Sequence, residues 1–251
     1  GCHVFCEKPP GRTVQDVESI IEVEKKNPQL KLKYGFNHRY HGSVKKAKEI
    51  IDSKDLGEVI NLRGIYGKSS VVPFIGQWRA IKKYAGGGIL LDQGIHMLDM
   101  FQYFHGNFEE AHSFISNKYY DYDVEDNVFA IMRDAKGVIA SIQSSATQWQ
   151  HSFQLGITME EGFIELSGIL SSTKSYGKEK LVIVPKQDKS VVGSLSAKTI
   201  QYLDDSSWND EINEFADVII NNKPVKQGNS HDALKIMRLI DKIYKADKDW
   251  K

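Results

Sequence analysis

Cysteine is nearly missing from this chain, with only Cys2 and Cys6 among 251 residues. At about 3.3 Å per residue in a strand the two lie roughly 13 Å apart, too far for a disulfide. A disulfide-stapled scaffold is excluded, and a reduced, cytoplasmic setting is expected. Charge of one sign is missing as well: Lys+Arg and Asp+Glu are both 33. No overall basic field therefore points to nucleic acid or to an anionic membrane, and neither partner is expected. No apolar run approaches the roughly 18 residues a membrane helix needs. No signal peptide, internal repeat or low-complexity tract is visible. The 8 histidines are scattered, with no clustered ligand pattern outside the segment around His96.

What is present reads in two styles. "HVFCEKPP" is a short buried-type strand ending in a prolyl turn. "TVQDVESIIEVEKK" comes next, with Thr13 and Asp16 placed as a capping box and Val14, Val17, Ile20 and Ile21 on one face. Pro28 stops that helix, and "LKLKYGF" is the next strand. Strand, helix, strand at this spacing is a parallel crossover unit. Two parallel strands do not stand alone, so residues 1–38 are expected to be the C-terminal remnant of a larger α/β domain.

From residue 39 onward the pattern is α+β. A helix is expected over about 43–54, a strand at "VINLRGIYG" and a buried helix over 88–104. Then come strand candidates at about 110–117, "NVFAIMRD", "GVIASIQSSA", "SFQLGITM", "FIELSG" and "KLVIVPK". Turn-like links such as "AKG" and "EEG" predict hairpins in a large, mainly antiparallel sheet. Two amphipathic helices close the chain. One is expected to bury Ile212, Phe215, Ala216 and Ile219, the other Ile236, Met237, Ile240 and Tyr244. With many strands and few helices, one sheet face is expected to be covered and the other offered to a second copy, giving a homodimer or homotetramer.

The segment "GGGILLDQGIHMLDM", Gly86 to Met100, scatters acids and a histidine among oily residues. On a helix at about 100° per residue, Asp92, His96 and Asp99 fall within roughly 60° of one another, with Tyr103 on the same stripe. A helix otherwise apolar all round belongs in an interior, where its polar stripe must face partners. An Asp–His pair at i, i+4 is a structural hydrogen bond in one reading. In another it is a cleft wall carrying a general base with an orienting carboxylate. D-x-x-x-H-x-x-D lacks the paired histidines of a zinc helix, so no metal is expected. Spacing alone does not decide. A second constellation, Glu7-Lys8-Pro9, sits at the carboxyl end of a parallel strand, where doubly wound folds bind ligands. By itself it is a weak motif whose usual reading is a solvated lysine.

The ordered combination is more specific. Glu7-Lys8-Pro9, then Trp78-Arg79, then Gly86-Gly87-Gly88, Asp92, Gly94, His96 and Asp99 together resemble the glucose–fructose oxidoreductase/inositol dehydrogenase (Gfo/Idh/MocA) family. "YGFNHRYHGSVKKAKEII", with Arg39 in a basic position, is similar to that family's crossing between domains, and "GNSHDALKIMRLIDKIYKA" to its last helix. The resemblance implies an NAD- or NADP-dependent oxidoreductase acting on a sugar, cyclitol or nucleotide-sugar hydroxyl. It implies Lys8, Asp92 and His96 as catalytic residues, with His96 the proton acceptor, and a cis peptide before Pro9. Glu7, Lys8 and Pro9 would contact cofactor, and Arg39, Trp78, Arg79 and Asp92 the substrate. The alternative is a non-catalytic regulator that binds the same ligands. Arg79 has an ordinary reading as a surface ion pair, and Trp149 and Tyr40 as packing rather than sugar-stacking rings.

One departure stands out. The family's strand–G-x-G-x-x-G–helix, which seats a dinucleotide pyrophosphate, is absent, and "GGGILLDQG" does not replace it. The 251 residues are therefore expected to hold half a cofactor site and to be inactive alone.

Overall fold

The computed structural model describes residues 1–70, 78–171, 175–187 and 196–250. β1 (Val4–Glu7) and β2 (Leu32–Gly35) pair in parallel, with Val4 opposite Leu32 and Glu7 opposite Gly35. The crossover between them is α1 (Val14–Lys26). Its start is built by the expected capping box: Asp16 N–H donates to Thr13 Oγ1 at 3.2 Å, and Thr13 N–H donates to the Asp16 carboxylate at 3.0 Å. Two otherwise orphaned N–H groups are satisfied, and Lys25 and Lys26 complement the opposite end of the helix dipole. Val17 is fully enclosed, whereas Val4 and Val23 are exposed. After β2 the chain makes a 3-10 turn, Asn37–Tyr40, whose four residues are all buried. It then enters α2 (Gly42–Ser53), and a single helical turn, α3 (Lys82–Ala85), comes later, ahead of the glycine run.

The second sheet has 8 strands in the order β10-β9-β8-β7-β3-β6-β5-β4. They are β3 (Val59–Ser69), β4 (Glu110–Ser116), β5 (Asn127–Arg133), β6 (Ile139–Gln148) and β7 (Ser152–Met159), then β8 (Gly162–Ser167), β9 (Glu179–Pro185) and β10 (Lys198–Tyr202). Neighbours run antiparallel except β3 with β6. β3 lies between β6 and β7, splitting their hairpin direction into one parallel and one antiparallel contact. β10 carries too weak an alternation to be read from sequence.

Period-two alternation assigns the faces. On β5, Val128, Ala130 and Met132 are buried, and Ala130 and Met132 sit opposite Ile142 and Ala140 of β6. The intervening Phe129 and Ile131 are exposed, and Phe129 sits opposite Phe114, which is 82% exposed. Helices cover only the inner face. α4 (Ile95–Phe104) packs on β3 and β6, and α2 on β8, β9 and β10. α6 (Ser230–Ala246) reaches both sheets, touching α1, β2, α4 and β4. α4 lies directly on β3 because Gly64 has no side chain there: a Cβ would sit 2.5 Å from Met97 Sδ and 2.8 Å from Phe101. Met97, Leu98, Met100 and Phe101 are all fully enclosed.

The face of α5 (Ser207–Ile220) differs from expectation. Ser207, Glu211, Phe215 and Val218 are buried, while Ile212 and Ala216 are exposed. The helix is turned by polar groups in the core. Glu211 accepts from Phe36 N–H at 2.8 Å, and Glu214 accepts from the buried Lys33 ammonium at 2.9 Å. Turning the helix the other way would bury Ile212 and Ala216 but leave both donors unpaired in the interior. α6 keeps to its sequence pattern, with Ile236, Met237 and Ile240 enclosed. Among the described residues, no helix is long and apolar enough to cross a membrane.

Candidate active site

Lys8 leaves the carboxyl end of β1, and the Lys8–Pro9 peptide is cis. Its ammonium donates to the main-chain oxygen of Asp92 and, at 3.2 Å, to Asp92 Oδ1. Asp92 lies in a π-turn, Leu90–Gly94, that runs into α4. The start of this segment is capped from outside. Gly88 N–H and Leu90 N–H donate to the Glu125 carboxylate at 2.7 and 2.9 Å, and Tyr244 Oη donates to it at 2.8 Å. Gly88 is required here, since a Cβ would lie 2.0 Å from the Glu125 carbonyl oxygen. Burial pushes the Glu125 carboxyl up, and its hydrogen bonds pull it back.

The π-turn adds residues to one turn of helix and so shifts the phase of α4 behind it. The expected single stripe is split. Asp92 turns to Lys8, His96 faces its own aromatic surroundings, and Asp99 turns away to Arg39.

His96 is 5% exposed and lies flat against His38, ring centroids 3.8 Å apart and planes 13° apart. Tyr66 meets it edge-on at 6.4 Å. Burial, with the nearby Lys8 and His41, holds the His96 pKa well below the usual histidine range, so the ring is neutral. Its Nδ1 is enclosed without a hydrogen-bond partner. Among the described residues Nε2 also has no hydrogen-bond partner, but it is not enclosed. A neutral imidazole with one free nitrogen, beside an ammonium held by a carboxylate, can take a proton from a hydroxyl while the ammonium steadies the oxygen left behind.

The other expected residues divide. Glu7 projects over Gly35, its carboxylate oxygens 3.2 Å from where a Cβ would stand, and burial pushes its carboxyl up. Trp78 and Arg79 are exposed, with the guanidinium 4.5 Å from the ring centroid. Both Arg79 and Lys8 act on Lys68 of β3, a half-buried lysine whose pKa is lowered by burial and raised by Asp92.

Arg39 does not join the Lys8–Asp92 pair. Its guanidinium is enclosed and donates to Asp99 at 2.8 and 2.6 Å and to Asp232 at 2.8 Å. This fork, shared between two carboxylates, ties the 3-10 turn to α4 and to the start of α6. Tyr40 is likewise structural, bonded to Lys33 and Glu214. Trp149 is 78% exposed.

Sequence reasoning missed His38, Tyr66, Lys68 and Tyr176. Tyr66 stacks on Tyr176 at 5.3 Å and bonds His38 Nε2 at 3.1 Å. The available signals were the paired histidines in "NHRYH" and the i, i+2 spacing of Tyr66 and Lys68 on one strand face.

Comparison with known proteins agrees with this architecture. Residues 44–165 match the family model described as the GFO/IDH/MocA C-terminal domain. The chain is 30% identical over 161 residues to D-glucoside 3-dehydrogenase of Escherichia coli, covering 58% of this chain and 45% of that protein. It is 28% identical over 185 residues to levoglucosan dehydrogenase of Pseudarthrobacter phenanthrenivorans, covering 64% and 47%. To myo-inositol 2-dehydrogenase of Thermotoga maritima it is 32% identical over 150 residues, covering 57% and 42%. The chain thus spans about half the length of the curated relatives it matches. Among solved structures, levoglucosan dehydrogenase in complex with NADH and levoglucosan superposes with a TM-score of 0.83 at 22% identity, over 97% of this chain and 71% of that one. Aldose-aldose oxidoreductase from Caulobacter crescentus, complexed with glycerol, gives 0.81 at 24%, over 99% and 71%. These likenesses show the fold.

Proposed function

We propose that the chain carries the substrate side and the catalytic groups of a Gfo/Idh/MocA oxidoreductase that uses NAD or NADP to oxidise a hydroxyl of a sugar or cyclitol. The observation that carries this reading is the meeting of the Lys8–Asp92 ion pair with a neutral, partner-free His96. Relatives named as glucoside, levoglucosan and inositol dehydrogenases support the substrate class, and a structural neighbour holding NADH supports the cofactor.

The residues present fit the nicotinamide end of such a cofactor. Glu7, Lys8 and Pro9 form the turn at the carboxyl end of a parallel strand, and the charge of the same lysine is felt at the His96 ring. When bound, the dinucleotide supplies the acceptor for the hydride leaving the carbinol carbon. His96 Nε2 takes the hydroxyl proton. Lys8 donates a hydrogen bond to that oxygen and stabilises the charge developing on it. Asp92 holds Lys8 in place and keeps an oxygen for a neighbouring substrate hydroxyl.

The test is an initial-rate survey of aldoses, glycosides and cyclitols with NAD and NADP, run on the full-length enzyme. His96→Ala should lower turnover by roughly 10²–10⁴-fold. An unchanged turnover number would return His96 to a packing role. Ligand binding with no turnover on any of these substrates would favour a regulator.

A further inference from the structure

A histidine acting as a base is ordinarily aimed by a hydrogen bond on its other ring nitrogen, from a carboxylate or a backbone carbonyl, which fixes both tautomer and plane. His96 lacks one, because its Nδ1 is enclosed with no partner. Something else must hold the ring.

We propose that His38 is the positioning residue of this site, and that it holds the His96 ring plane by stacking instead of by a hydrogen bond. This rests on the proposed role of His96 as proton acceptor. The rings are 3.8 Å apart and 13° from parallel. His38 can serve as a fixed platform because both its nitrogens are engaged: Nδ1 lies 3.1 Å from Asn37 Oδ1 and Nε2 3.1 Å from Tyr66 Oη. With the carboxamide oxygen accepting from Nδ1–H, Nε2 accepts from the tyrosine hydroxyl. That arrangement requires a neutral His38 with the proton on Nδ1. The platform is anchored in turn. Its 3-10 turn also carries Arg39, bidentate to Asp99 of α4, one helical turn beyond His96. The turn and the helix therefore move as one body, keeping the two rings face to face.

The groups facing His96 come from several elements. They are Lys8 after β1, His38 and His41 around the 3-10 turn, and Tyr66 on β3. His41 is bonded to Glu179 at 2.9 Å. Burial lowers the His38 pKa, and His96, His41 and Lys8 lower it further. Two neutral rings stack without the repulsion that two imidazolium ions would suffer.

Three variants test the assignment: His38→Phe keeps a flat ring against His96, His38→Leu removes it, and Tyr66→Phe removes only the hydroxyl that fixes His38. Imidazole nitrogen and carbon NMR signals, tracked against pH, read His96 directly and need no turnover. His38→Leu should broaden the His96 ring signals. His38→Phe should leave the signals sharp. In the active enzyme, His38→Leu should lower kcat about tenfold or more with KM changed about twofold or less. His38→Phe should recover most of that loss. If His38→Leu does not fold, Tyr66→Phe should still shift the His38 nitrogens and lower kcat severalfold. Equal kcat and equally sharp His96 ring signals in the Leu and Phe variants would overturn the proposal. So would a Tyr66→Phe variant with unchanged His38 signals. Absence of dehydrogenase activity in the unsubstituted enzyme would instead count against His96 as a base, leaving the NMR result to report on the stack alone.

Discussion

Arg39→Met separates a structural guanidinium from a substrate ligand. The substitution keeps the apolar stem and removes the planar charge. Two bonds to Asp99 and one to Asp232 vanish, together with the guanidinium's contacts over Phe36 and Tyr103 at 5.3 and 5.1 Å. The larger cost falls on Asp99, which is 1% exposed and would be left without a cation. Breaking a buried pair from one side typically costs about 3–5 kcal/mol. Asp232 is partly solvated and still accepts from Gly228 N–H at 3.0 Å, so its loss is about 1 kcal/mol or less. A total near 4 kcal/mol is a large share of the roughly 5–15 kcal/mol that holds a domain together.

For a chain of this size that corresponds to a fall in Tm of roughly 8–16 °C, measurable by calorimetry or by urea titration. Adding Asp99→Asn to the variant removes the stranded charge and should restore about 2 kcal/mol, a non-additivity that a double-mutant cycle reads directly. If Arg39→Met instead lost under about 1 kcal/mol while raising KM for a sugar, the ion-pair argument would fail and Arg39 would return to the substrate site.

The exposed sheet face carrying Phe114, Phe129 and Ile131 is expected to bury itself against a second copy, and light scattering should report a dimer or tetramer at micromolar concentration. A strict monomer there, or an oligomer unchanged by Phe129→Glu, would refute it. Lacking a G-x-G-x-x-G turn, the 251-residue chain should bind NADH and NADPH weakly in calorimetric titration, and a low-micromolar dissociation constant would overturn that expectation. Glu211 gives a pH dependence of stability. Burial is the main cause raising its carboxyl from 4.5 to about 7, so the folded state holds a proton that the unfolded chain releases. The stabilising effect is full below about pH 4.5 and is lost as pH rises through about 7, by roughly 3 kcal/mol at most. Measured against Glu211→Gln, wild-type stability should fall across that window, and parallel curves for the two proteins would contradict the burial argument.

Much of the fold is legible in the residues because local rules act alone there. The Thr13–Asp16 box needs only its own helix turn. The alternation of Val128, Ala130 and Met132 needs only a half-covered sheet. The parallel β3–β6 contact was not legible, since it depends on where the chain returns after α4. The phase break at Leu90–Gly94 was hidden too, because Glu125, far along the chain, caps that segment. In α5 the buried face was misread for a related reason: Lys33 and Phe36 N–H, both near β2, decide which side of the helix turns inward.

The same long-range pairing sorts the buried polar groups by role. Arg39 is matched by two aspartates. Lys33 meets Tyr40, Glu214 and the Gln227 carbonyl, and Glu125 accepts two backbone N–H groups and a tyrosine. Each of these charges is matched by groups of the protein itself. His96 is different. It is nearly as deeply enclosed, yet among the described residues neither ring nitrogen has a hydrogen-bond partner. Native structures rarely leave a buried polar atom unmatched, because the desolvation cost is about 1–3 kcal/mol. Tyr34, Ser43, Ser70, Ser207 and Glu211 also bury an atom without a partner, but His96 adds to this an imidazole that feels the Lys8 charge, and a bound hydroxyl there would relieve the cost.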